Sequence, residues 1–186
     1  MTGTHINVSV ELAEVRAMLD RMGQAGADDL MPRIGEYLLK STQGRFKTQK
    51  APDGTPWEKL DPAYARRKKY NKDKVLTLRG YLRSNIRYQV TGPAEVEVGS
   101  NSEYAAIHQL GGTIQIGARN ATVRYRSVAG RVLFAGKKHK RVTERQVTVP
   151  AHQITMDARP FLGVSAEDDK RIQAIAAEWL MERAKG

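Results

Sequence analysis

The stretch Leu76 to Gly112, LTLRGYLRSNIRYQVTGPAEVEVGSNSEYAAIHQLGG, limits the possible folds of this chain more than any other. Ile86, Tyr88 and Val90 alternate with Arg87 and Gln89, the period-2 pattern of a strand with one buried face. Thr91-Gly92-Pro93 predicts a turn. Val96 and Val98 then repeat the alternation, so the spacing predicts an antiparallel hairpin with one solvated face. Ser102-Glu103-Tyr104 opens the next element, in which Tyr104, Ile107 and His108 fall three and four apart, as on one face of a short helix. Gly111 and Gly112 stop it.

The flanking segments supply what such a hairpin needs for a core. Ile6, Val8 and Val10 alternate with Asn7 and Ser9, which predicts a short strand docked on the edge of the same sheet. Leu12, Val15, Leu19 and Met22 have helical spacing, broken at Gly23 to Gly26. A second helix is expected from about Asp28 through Phe46, with Leu30, Ile34 and Leu38 as its stripe, Pro32 in its first turn and Asp28 or Asp29 as N-cap. Ala51 to Asp61, APDGTPWEKLD, reads as an ordered loop pinned by Trp57 and Leu60. Asp157 to Gly163 brings an extended segment into the core through Phe161 and Leu162. Ser165 to Asp168 reads as a capping box, and Ile172, Ile175, Ala176, Trp179 and Leu180 mark the buried face of a final helix, expected to lie across the sheet. The fold class is α+β: an antiparallel β-sheet flanked by N-terminal helices and a C-terminal helix, with a long β-hairpin arm.

That arm is the excursion from Thr113 to Thr155. Ile114 and Ile116, then Val123 and Tyr125, alternate with polar residues; Val128-Ala129-Gly130-Arg131 makes a turn, and Val132 to Phe134 resumes an extended pattern. Gly136-Lys137-Lys138-His139-Lys140-Arg141 is the most basic point, with no acid between Arg131 and Arg141, and Val142, Val147 and Val149 return as a further strand. A segment of this kind buries little on both faces, which fits either a surface loop or an arm ordered by a neighbour. With 186 residues, the expectation is one domain spanning 1–186, with 113–155 as a protruding basic β-arm.

Charge narrows the partners. Lys and Arg number 31 against 20 Asp and Glu, a net +11 that favours a polyanion or an acidic protein surface. Ala63 to Lys74 carries Arg66, Arg67, Lys68, Lys69, Lys72 and Lys74 against Asp73 alone, and reads either as a solvated face or as a contact for phosphates or carboxylates. Tyr64 and Tyr70 flank this run, and Phe134 precedes the run from Lys137 to Arg141, so a basic nucleic-acid-binding module is the alternative reading of the chain. The absence of cysteine excludes disulfides and thiolate metal sites. The first residues lack the pattern of a signal peptide and no stretch approaches a membrane span, so a soluble protein with no membrane contact is expected.

The residues give little support for catalysis. His5, His108, His139 and His152 lie on different predicted elements with no metal-ligand spacing, and neither a metal nor a cofactor is expected. His108 has the chemistry of a general base, but no nearby Ser, Cys or Asp arrangement supplies a nucleophile for it to activate, which favours a structural or interface role. No phosphate-cradling glycine loop, dinucleotide fingerprint or nucleophile elbow is present. Glu167, Asp168 and Asp169 fall in the first turn of the last helix, where the macrodipole accounts for them. The expectation is a non-enzyme.

Several runs, taken in order, resemble one family. Leu78-Arg79-Gly80-Tyr81-Leu82, Val98-Gly99-Ser100, Tyr104 to Gly112 (YAAIHQLGG) and Ala158 to Ser165 (ARPFLGVS), together with Ala51-Pro52-Asp53-Gly54 and Trp57, resemble the phage virion morphogenesis family, also called tail completion proteins. The resemblance implies a structural protein of tailed phages or prophages that finishes the head-proximal end of a tail so that it can join the head. It implies an α+β domain, a homo-oligomeric ring in the virion with six copies expected, assembled in the host cytoplasm, and neighbours among tail tube, terminator and head-tail connector proteins. Nothing catalytic is carried over. The interface residues expected on this reading are Arg131, Lys137, Lys138, Lys140 and Arg141 on the arm, its basic tip meeting an acidic surface or DNA, and Tyr104, His108 and Gln109 on the short helix.

Overall fold

The computed structural model of the chain describes residues 6–11, 17 and 29–184. They belong to two compact units: Thr113–Met156 forms one, and the segments before and after it form the other. Of the helix expected over Leu12 to Met22 only Ala17 is described, and it is helical; the rest of that helix and its break at Gly23 to Gly26 lie outside the described residues.

The larger unit is built on a three-stranded antiparallel sheet of order β1-β3-β2, with β1 (Ile6–Glu11), β2 (Ile86–Gly92) and β3 (Glu95–Ser100). The predicted hairpin is β2 with β3, in which Tyr88 faces Val98 and Val90 faces Val96. Its turn is Pro93-Ala94, one step later than expected, because the register shifts after Val90 and Gly92 comes to face Glu95. The predicted edge strand is there as well: β1 adds to β3, with Val8 opposite Val98, and so makes β3 the middle strand.

One helix, α1 (Leu30–Thr48), covers this sheet. Leu30, Ile34 and Leu38 form its buried stripe as the spacing predicts, each such side chain contributing about 1.5–3 kcal/mol on burial. Gly35 is what lets α1 come so close to β2: a Cβ there would lie 2.3 Å from the Tyr88 ring. The last helix, α5 (Ala166–Ala184), packs chiefly along α1, not across the sheet as expected, since α1 already occupies that face. Ile172, Ile175, Ala176 and Trp179 are buried there. Asp29 stands at the N-cap position of α1, yet its side chain makes no capping bond. Its carboxylate instead accepts from Trp179 Nε1 at 2.7 Å and pairs with Arg33 and Arg183, tying the start of one helix to the end of the other.

Between these elements lie three short helices, α2 (Pro62–Arg67), α3 (Tyr81–Ser84) and α4 (Ala105–Leu110). Asp61 caps α2 by accepting from Tyr64 N at 2.7 Å, a contact of the kind that contributes about 1 kcal/mol. Gly111 and Gly112, after α4, both have positive φ, as expected of a glycine stop.

The segment Asp157 to Gly163 has no regular structure, yet Phe161 and Leu162 are buried, so its backbone polar groups need partners. Side chains from distant runs supply them. Gln109 Oε1 accepts from Phe161 N and Leu162 N at 2.9 and 3.0 Å, while its Nε2 donates to Leu162 O. Trp57 Nε1 donates to Pro160 O at 2.8 Å, and Phe46 lies against both Trp57 and Phe161 with ring centroids 5.4 and 5.5 Å away. Arg159 is buried, donates to Glu58 O and Lys59 O, and gives its backbone N–H to His108 O at 2.7 Å. Pro52 fills the space beside Gly163, where a Cβ would meet it at 2.8 Å. The Ala51 loop, Trp57, the YAAIHQLGG run and the ARPFLGVS run therefore meet at one place in the fold.

The predicted capping box holds: Ser165 Oγ accepts from Asp168 N at 3.1 Å, and Asp168 Oδ2 accepts from Ser165 N at 2.9 Å. Glu167 and Asp169 are exposed at the helix start, as the macrodipole reading has it, but Asp168 is not a surface acid. It is 2% exposed and faces Arg45.

The smaller unit is all β. A two-stranded sheet pairs β4 (Gly112–Ile116) with β8 (His152–Met156), and a three-stranded antiparallel sheet has the order β6-β5-β7, from β5 (Arg119–Val128), β6 (Arg131–Phe134) and β7 (Thr143–Val149). The hairpin expected across the Val128 to Arg131 turn is β5 with β6, and the further strand expected from Val142, Val147 and Val149 is β7, which adds to the other side of β5. The strand β8 has no counterpart in the sequence reading.

Candidate assembly interface

The strands of the smaller unit alternate strictly across β5. On one face Asn120, Thr122 and Arg124 lie opposite Thr148, Gln146 and Glu144. Each pair is closed by a polar contact: Thr148 Oγ1 to Asn120 Oδ1 at 3.0 Å, Gln146 Nε2 to Thr122 Oγ1 at 2.9 Å, and the Arg124–Glu144 ion pair at 3.1 Å. The other face carries Ala121, Val123 and Tyr125 with Val147, and the Tyr125 ring stacks on Phe134 with centroids 5.5 Å apart. This is the two-faced pattern of a sheet that packs against something on one side.

Nothing within the unit completes that packing. None of residues 113–156 is buried. The edge strand β6 exposes all four of its residues, with Val132 at 70% and Phe134 at 77%. An apolar edge strand of this kind offers unpaired backbone groups and side-chain area to another chain. Arg131 begins the strand, and Lys137, Lys138, Lys140 and Arg141 follow it in an exposed turn that is free of ion pairs among the described residues. The turn is ordered from within: His139 N donates to Gly136 O at 3.1 Å, and the Arg124 guanidinium donates to His139 O at 3.3 Å.

The remaining expected interface residues belong to the larger unit, on α4. Tyr104 is exposed and meets the His108 ring edge-on with centroids 6.0 Å apart. His108 is half-buried and its Nδ1 has no hydrogen-bond partner among the described residues. Burial, and then the nearby Arg159 guanidinium, push its pKa below the ordinary imidazole value of 6.5. Gln109 spends its amide on the Phe161–Leu162 backbone. Among the described residues, no cluster of His, Asp and Glu is placed to hold a metal ion, and no helix is long and apolar enough to cross a membrane.

The sequence pattern singles out the cations of this candidate surface and not its apolar part. The signal was present: Val132, Leu133 and Phe134 are consecutive apolar residues, whereas a strand with one buried face needs only every second one.

Comparison with known proteins bears on what such a surface serves. The model of the phage virion morphogenesis family matches residues 10–181. A putative capsid assembly protein G of Escherichia phage Mu is 33% identical over 130 residues, covering 67% of this chain and 83% of that protein. No solved structure matches the chain significantly.

Proposed function

Because this chain belongs to the phage virion morphogenesis family, we propose that it is a structural, non-catalytic component that completes the head-proximal end of a phage or prophage tail and prepares it for joining the head. It acts as a homo-oligomeric ring, six copies being the expected number, assembled in the host cytoplasm and retained in the virion. Its neighbours are further copies of itself, the tail tube or terminator, and a head-tail connector. The Mu relative carries the name of a capsid assembly protein, which supports a place on the head side of the tail.

The observation that carries this reading is the absence of any buried residue from 113 to 156. Ordering a residue costs about 1–2 kcal/mol of backbone entropy, and a small sheet offsets that only when a face is covered. A second copy of the chain, or the tail tube, supplies the cover. Deleting Arg131 to Arg145 tests this: the larger unit keeps its core and its cooperative melt, and the protein loses self-association and tail completion. Unchanged assembly by the deletion variant would refute the reading.

A further inference from the structure

The most concentrated charge on the larger unit lies in residues 62–87. Arg66, Arg67, Lys68, Lys69, Lys72, Lys74, Arg79, Arg83 and Arg87 stand there against Asp73 alone. Only Lys74 pairs with that acid, at 3.5 Å; the others make no ion pair among the described residues. Three exposed tyrosines, Tyr64, Tyr70 and Tyr81, are interleaved with them.

Lys68 organises this patch from inside. It is buried, and its ammonium donates to the backbone carbonyls of Asn71 at 2.6 Å, Thr77 at 2.8 Å and Lys74, folding 68–78 around one cation. Asn71 Nδ2 closes the same loop on Leu78 O at 3.0 Å, and Asn71 and Leu76 take positive φ to do so. The flanking cations are thereby gathered on the outside. Lys72 Nζ reaches Arg66 O at 3.4 Å, and Lys69 and Arg79 both lie over the Tyr70 ring, 5.2 and 6.0 Å from its centre. Holding like charges together before any partner arrives is unfavourable in isolation, and is offset when a polyanion binds a surface that needs no further ordering.

We propose that the Lys68-centred loop, through Arg66, Lys69, Lys72 and Arg79, is a contact for the phosphate backbone of double-stranded DNA. Protein–protein interfaces deplete lysine and place apolar or aromatic anchors at a desolvated centre, whereas protein–DNA interfaces are wet and strongly positive. This patch is of the second kind by its charge, nine cations against one acid, and the Tyr70 ring has Lys69 and Arg79 over it instead of standing free as an anchor. The apolar edge of the smaller unit is of the first kind. The inference does not rest on ring formation and holds equally for a monomer.

The test is fluorescence anisotropy of a labelled duplex of arbitrary sequence titrated with the full chain between 50 and 200 mM salt. Four phosphate contacts give a slope of log affinity on log salt near −3.6, a loss of about 150-fold over that range. Arg66→Glu with Lys69→Glu, Lys72→Glu and Arg79→Glu abolishes binding, while the same reversal at Lys137, Lys138, Lys140 and Arg141 leaves most of it. Should the fourfold variant fail to fold, Lys69→Gln, Lys72→Gln and Arg79→Gln taken singly each flatten the slope by about 0.9. Lys68→Met lowers affinity with the slope unchanged, since it removes the organiser and no surface cation. Binding that survives the loop variants, or is lost only with the Lys137 to Arg141 reversal, overturns the proposal. So does displacement of the duplex by polyaspartate at equal charge concentration, which assigns the loop to an acidic protein.

Discussion

Arg45 and Asp168, 123 residues apart in the chain, close a buried ion pair at 2.6 Å between α1 and α5. The remaining valences are satisfied: Arg45 also donates to Phe161 O and Gly163 O, and Asp168 accepts from Tyr37 Oη, Ser41 Oγ and Ser165. A buried pair is tolerable only when completed in this way, and removing one partner strands the other. Asp168→Ala and Arg45→Ala are each expected to destabilise the larger unit by about 3–5 kcal/mol, and the double variant by less than the sum. Urea or thermal melts followed by circular dichroism check both.

The same carboxylate sets an acid limit. Burial alone would raise the Asp168 pKa, but hydrogen bonds from Ser41, Ser165 and Tyr37 outweigh it and hold the group below the ordinary 3.8. A depressed folded value means that the contribution is complete above 3.8 and is lost as pH falls through the lower value. Burial, and then Asp168 itself, push the Tyr37 hydroxyl up to about 12, so Tyr37 remains the donor throughout.

His108 gives a second pH dependence at milder acidity. Its folded pKa lies below 6.5, so its unfolded form takes up a proton first, and stability is complete above 6.5 and declines as pH drops toward the folded value. His108→Gln removes that part of the decline. Melts from pH 8 to pH 5 on both proteins give the difference directly; identical profiles would show that His108 carries no such linkage.

Gly35→Ala tests the approach of α1 to the sheet. The new methyl meets the base of the Tyr88 ring at 2.3 Å, so the helix or the ring must move. A loss of about 1–3 kcal/mol is expected, although alanine is the better helix former. Gly44, on the same helix with open space around it, is the control: Gly44→Ala is expected to stabilise by about 0.5–1 kcal/mol.

The elements readable in the sequence were those with a local period. The β2–β3 hairpin, the Leu30-Ile34-Leu38 stripe and the Ile172 to Trp179 face each repeat within a few residues, and each is where the spacing puts it. Asp29, Asp168 and Lys68 were read by their neighbours in sequence, as a cap, a dipole partner and one cation of a run. Their actual contacts are decided by partners far along the chain or by loop carbonyls, which leave no periodic trace. Arg45 did leave one, since it falls on the buried side of α1 between Thr42 and Phe46, where a charged residue requires a partner. The candidate interface divides in the same way: its basic turn was legible from composition, and the apolar edge beside it required knowing which strand β5 leaves uncovered.

Val132→Asp and Phe134→Asp separate assembly from folding. Both positions are largely exposed, so unfolding free energies should change by no more than about 1 kcal/mol, the larger effect falling on Phe134 through its stacking on Tyr125. Self-association should fall at least tenfold. Sedimentation velocity of the two variants beside the parent chain reads the effect.

Ring formation is read from the molar mass of the purified chain by light scattering across a concentration series at low and high salt. A discrete multiple of 20.8 kDa is expected, corresponding to six copies, and it dissociates in the Val132→Asp variant. A mass of 20.8 kDa at every concentration and salt would contradict ring formation.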